Sequence, residues 1–139
     1  MILFHFPDVE HLAVGFLRAA LAVRPEPFVT GVQIGTRVPK NRIAPFVQVR
    51  NLGGGAQRTG FRMSRIDAYV YHSTAEYAQS LASICLALLL SRTGKVVDGW
   101  SVVRAEHFAG PVDFPDPLTD APRYLVTVEW TLRGQQENG

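Results

Sequence analysis

At 139 residues, 47% of them apolar and 19% charged, the chain has the composition of one folded domain and not of a disordered segment. That length allows about two-thirds of the unfolded surface to be buried without a covalent staple, and a single cysteine excludes a disulfide framework. The formal net charge of +2 is slight but uneven: Arg37, Lys40, Arg42, Arg50, Arg58, Arg62 and Arg65, half of the 14 basic residues, lie between Glu26 and Asp67 with no acid among them.

The N-terminal MILFHF is apolar, yet it lacks a basic leader and meets Asp8 and Glu10 before any cleavage-like signal, so a signal peptide is not expected. The longest apolar run, Leu81 to Leu90, is about half of what spans a bilayer. The cytoplasm is the expected place of synthesis and assembly. Pro7 and Asp8 precede Val9, Leu12, Ala13, Phe16, Leu17 and Ala20, whose three-and-four spacing predicts a first helix over 8–23, with Asp8 as N-cap and Pro25 forbidding continuation. Val29 to Thr36 and Pro45 to Asn51 read as two strands joined by a hairpin loop, Arg37 to Ala44, with an exposed basic tip at Arg37, Lys40 and Arg42. The following NLGGGAQRTG has four glycines in ten residues and reads as a long mobile loop carrying Arg58.

Phe61 to His72 is the third strand, in which Ile66, Ala68 and Val70 alternate with Asp67, Tyr69 and Tyr71. The face formed by Phe61, Met63, Arg65, Asp67, Tyr69 and Tyr71 is too aromatic for plain solvent and too charged for a core. Burial against another chain would explain it, and so would cover by loops of the same chain. A second helix is expected from the Ser73–Glu76 capping-box spacing. Its stripe runs through Tyr77, Ala78, Leu81, Ile84, Cys85, Leu88 and Leu89, and it ends near Arg92 with Gly94 free to take a left-handed cap. A fourth strand, Trp100 to Phe108, follows Gly99 and should run parallel to the third across a right-handed crossover. Ala109 to Pro122 carries four prolines and three aspartates, Asp113, Asp116 and Asp120, and reads as an extended acidic loop. Arg123 to Arg133 alternates as the last strand, before a polar tail at 135–139 that should fray.

The predicted fold is therefore α+β: a single domain over 1–134 in the order α-β-β-β-α-β-β, with a mixed, mostly antiparallel sheet and both helices on one face. Chemical motifs are sparse. His5, His11, His72 and His107 lack partners at metal-ligand spacing, and no nucleophile elbow supports a catalytic triad, so no catalytic, cofactor or metal residue is assigned. Cys85 falls on an apolar stripe, where a thiol is a packing group. The glycines at 53 to 55 lead into a strand instead of a helix, which a phosphate-cradling loop would not do. Clustered arginines permit nucleic-acid binding, and pairing of the basic loops with the acidic loop of a neighbouring copy uses them equally well; a solvated or subunit-interface role is a stronger reading than direct sequence readout.

The runs DAYVYHSTAEYAQSLASICLALL and WSVVRAEHFAGPVDFPDPLTDAPRYLVTVEWTLRG resemble the tail terminator proteins of long-tailed, siphovirus-type actinobacterial bacteriophages. Members of that family pair a strand and an alanine-rich helix with a Pro/Asp loop that ends in Pro-Arg-Tyr before a final alternating strand. The likeness covers residues 66–134 well and the first half by element order. It implies a non-enzymatic virion protein without cofactors, forming a ring, commonly hexameric, on the head-proximal end of the tail tube. Such a ring ends tube polymerisation and joins the tail to the head-tail connector or neck protein, with DNA only passing through its lumen and no membrane involved. A neck, head-completion or minor tail protein is the nearest alternative, and a cytoplasmic nucleic-acid-binding module a more distant one. A head-to-tail ring needs two complementary patches on each subunit; Arg37, Lys40, Arg42, Arg58, Asp113, Asp116 and Asp120 are the candidate contacts with subunit, tube or connector.

Overall fold

The computed structural model describes residues 2–42, 44–53 and 56–138. Strand β1 (Ile2–His5) leads into helix α1 (Val9–Ala22), a single 3-10 turn (Pro27–Val29), β2 (Gln33–Gly35), β3 (Phe46–Arg50), β4 (Gln57–Arg58) and β5 (Phe61–Tyr71). Helix α2 (Ala75–Leu90), β6 (Lys95–Val97), β7 (Trp100–Asp113), β8 (Arg123–Arg133) and β9 (Gln135–Asn138) complete the chain. The main sheet has the order β2-β3-β5-β8-β7-β6, with β4 paired to the start of β5. As the alternation and stripes predicted, the fold is α+β with both helices packed on one face.

The core follows from those patterns. Val47 and Val49 on β3, Ile66, Ala68 and Val70 on β5, and Val126, Val128, Trp130 and Leu132 on β8 face Leu12, Ala13, Leu17 and Leu21 of α1 and Leu81, Cys85 and Leu89 of α2. Trp130 is fully buried; its indole N–H donates to the Leu89 carbonyl at 3.0 Å and its ring meets Phe16 edge-on. Asp8 caps α1 as its position predicted, accepting from the His11 N–H. Helix α2 is capped by Thr74, not Ser73: Thr74 Oγ1 accepts from the Tyr77 N–H, while the Ser73 N–H is taken up by His72 Nδ1 at 2.8 Å. Burial pushes the Cys85 thiol up to about 12, so it stays protonated and inert.

Several expectations need correction. Strands β2 and β3 are parallel, with Gln33 opposite Phe46, so 37–44 is a crossing segment and not a hairpin tip. The 3-10 turn after Glu26 also takes Val29 out of the strand. β5 and β7 do run parallel, but β8 lies between them, antiparallel to both. β7 continues through Gly110 and Pro111 to Asp113, deep into the segment read as a loop, at the expense of three irregularities in its register with β8. The tail does not fray: Gln135–Asn138 pairs antiparallel with Ile2–His5, the apolar leader supplying a partner that the tail's own composition does not hint at. Gln57–Arg58 pairs with Phe61 and Arg62, which shortens the glycine-rich loop; the expected mobility there rests partly on Gly54 and Gly55, outside the described residues.

Both borders of the main sheet are blunted. β2 has three residues, and because the Gln33 N–H points into the sheet at Pro45, the Ile34 carbonyl faces outward. There Arg18 closes it, donating from Nε at 3.0 Å and Nη2 at 2.7 Å. On the other border β6 also has three residues. Beyond it Thr93 Oγ1 accepts from the Ala105 N–H and donates to its carbonyl, and Pro111 has no N–H to offer.

Candidate functional site

The face of the sheet away from the helices carries Phe61, Met63, Arg65, Asp67, Tyr69 and Tyr71 on β5. Register pairs them with Arg133, Thr131, Glu129, Thr127, Leu125 and Arg123 on β8. Polar groups therefore meet across the strands: Arg65 lies 3.8 Å from the opposite charge of Glu129, and the Thr127 hydroxyl donates to Asp67 at 2.6 Å. Among the described residues Arg65 Nε has no hydrogen-bond partner; its guanidinium sits 3.8 Å above the Phe108 ring. Part of the cover for this face thus comes from the same chain, through Phe108 and Phe114 at the two ends of the β7 overhang. Phe108, Val112 and Phe114 remain about half exposed, and Met63, Tyr69 and Leu125 are half-buried around them.

At one end of this face the Pro/Asp segment is fastened by a compact polar network. Arg123, which stands opposite Tyr71, donates from Nε to the Phe114 carbonyl at 2.8 Å and from Nη1 to the Tyr71 hydroxyl at 3.1 Å. Its guanidinium lies 4.8 Å from the ring centres of both Tyr69 and Phe114, a geometry in which the ring faces attract the cation. Tyr71 stacks on Phe46 at 4.2 Å and its hydroxyl donates a hydrogen bond to Asp116 Oδ2 at 3.1 Å.

Asp116 is the centre of the loop. It is 5% exposed, and its Oδ1 accepts from the Leu118 N–H at 2.8 Å and the Thr119 N–H at 3.3 Å. Oδ2 accepts from Tyr71 and, at 3.3 Å, from Arg42 Nη1. These donors hold the carboxyl at about 2, with the Leu118 N–H the largest cause and burial opposing. Tyr71 moves the other way, its phenol raised chiefly by burial. The result is a rigid turn that displays Leu118 at its tip, 86% exposed.

The seven candidate contact residues fall in two places. Arg42 and Asp116 meet within one chain, so the basic 37–42 segment and the acidic 113–120 segment form a single composite patch. Arg37, Lys40, Asp113 and Asp120 are exposed, and among the described residues none of the four has a salt-bridge partner. Arg58 lies on β4, paired with Phe61 at the start of β5; that strand spans eleven residues, which sets Arg58 about 33 Å from the Tyr71 end. Tyr71 was legible as part of this face, but its link to Asp116, and the roles of Arg123 and Leu118, were not read from sequence. The Asp-Pro-Leu-Thr order, with an aspartate two and three residues before the amides it accepts from, was the available signal for a fixed turn. Among the described residues no three His, Cys, Asp or Glu side chains gather where they could hold a metal ion, and no helix is long and apolar enough to cross a membrane.

The fold is shared with a chain from the virion of a native gene transfer agent particle, at 17% identity and a TM-score of 0.60, over 88% of this chain and 98% of that one. Neither a protein-family model nor a curated protein matches the sequence.

Proposed function

We propose that this protein is a structural component of a phage-like virion, a homo-oligomeric ring that caps the head-proximal end of a tail tube, stops its growth and joins it to the connector. The observation that carries the reading is the end-to-end likeness of fold to a virion chain, since nearly the whole of each chain is used. The resemblance of residues 66–134 to tail terminators supports the finer assignment. So does the site: its polar groups are spent on fixing a loop and neutralising one another across strands, an arrangement suited to presenting a surface.

Electron microscopy of tails assembled with and without the protein tests this. Overlong tubes that fail to join heads are expected in its absence. Tubes of normal length that remain unjoined would indicate a neck protein instead, and normal joined tails would end the proposal.

A further inference from the structure

Two surface features of opposite character stand on each copy. The first is the Leu118 tip, an apolar side chain presented on a turn that Asp116 and Arg123 fasten, with the exposed carboxylate of Asp120 two residues on. An exposed leucine on a pre-fixed turn loses little conformational freedom on docking, which favours its use as an anchor. The second is a cleft of about 340 Å³ between the C-terminal half of α1 and β2, with Leu21, Val29 and Ile34 in its lining. Its rim is cationic: Arg18 uses two N–H groups on the Ile34 carbonyl and has no carboxylate partner among the described residues, whereas Arg24 is neutralised by Glu26.

We propose that the Leu118 tip of one copy seats in the α1–β2 cleft of the next. Charge selects this cleft. The cleft of about 400 Å³ between α1 and the β6–β7 turn is edged by His11 and Asp98, the one of about 380 Å³ at Phe28, His72 and Tyr77 holds no Lys or Arg, and those beside Arg62 and Arg42 are smaller, about 230 and 160 Å³. Tip and cleft are different surfaces of one chain, which is what a head-to-tail contact that propagates and closes requires. The contact rests on the reading of this protein as a ring-forming subunit and names the surfaces that build the ring.

Cross-linking decides it. The double variant Leu118→Cys/Ala22→Cys places one thiol on the tip and one on the cleft wall, while Cys85, buried and protonated, stays silent and reports by its unreactivity that the variant is folded. Mild oxidation, run on concentrated protein and on purified tails, should give a covalent ladder extending beyond dimer from the double variant and from neither single variant. Adding Asp120→Lys should slow the ladder several-fold at low salt, with the difference shrinking at high salt. No ladder in either setting, or a ladder from Leu118→Cys alone, overturns the contact. Tail length in the microscope reports on the function independently: a failed ladder with overlong tails in the protein's absence removes only the contact, and a ladder with normal tails in its absence removes only the tail role.

Discussion

Replacing Asp116 by Asn removes the charge that four donors converge on, and the structure fixes both the size and the pH dependence of the loss. The carboxyl is lowered from its ordinary 3.8 to about 2 in the folded state. At about 1.4 kcal/mol per pH unit, ionised Asp116 contributes roughly 2 kcal/mol to folding. Because the folded value lies below the unfolded one, that contribution is complete above about pH 5 and disappears as the pH falls through 4 towards 2. Urea unfolding of the wild type and Asp116→Asn at a series of pH values isolates it, since the other carboxylates cancel in the difference. The two proteins should differ by roughly 2 kcal/mol near neutrality and by only a few tenths at pH 2. A difference that stays constant over that range would show that the Asp116 charge is not what the network holds, and the reasoning from its hydrogen bonds would fail.

Other outcomes follow from the same geometry. Trp130→Ala empties a fully buried site and orphans the Leu89 carbonyl, and should cost about 3–5 kcal/mol by denaturant unfolding. Gly110 has φ +86° and the Leu125 carbonyl oxygen where a Cβ would stand, so Gly110→Ala should be recovered largely as insoluble protein or unfold well below the wild-type midpoint in thermal denaturation. Arg37→Glu with Lys40→Glu should leave stability within about 0.5 kcal/mol, as both side chains are exposed, yet reduce co-sedimentation with tail tubes; unchanged docking would place the tube contact elsewhere. Leu17→Ala, in the wholly buried stripe of α1, should cost about 2–5 kcal/mol without altering the Leu118 turn, checked by unfolding and by the ladder assay.

Elements whose own residues declare a face were readable from sequence. The stripes of α1 and α2 and the alternation of β5 and β8 need no partner to be recognised, because burial on one side dictates residue type at a fixed period. Pairing between distant segments left no such mark. β1 and β9 are joined across nearly the whole chain, and nothing in Gln135–Asn138 announces a strand until Ile2–His5 is laid beside it. The parallel β2–β3 pair was misread as a hairpin because short strands with an intervening Pro39 satisfy either direction locally. The site shows the same limit. Arg42 and Asp116 were both singled out for charge, but that they meet each other, 74 residues apart in sequence, depends on how β5 and β8 bring Tyr71 and Arg123 under the loop.

The closed borders of the main sheet constrain how copies can be added. Arg18 on the Ile34 carbonyl and Thr93 on Ala105 occupy backbone groups that would otherwise template a further strand, and Pro111 removes another. Accretion by main-chain pairing is indifferent to side-chain identity and has no natural stopping number, as fibrils show. In the proposed ring, a subunit barred from that route along these borders would meet its neighbours through shape and charge, and its count would be set by the angle between two matched surfaces and not by supply.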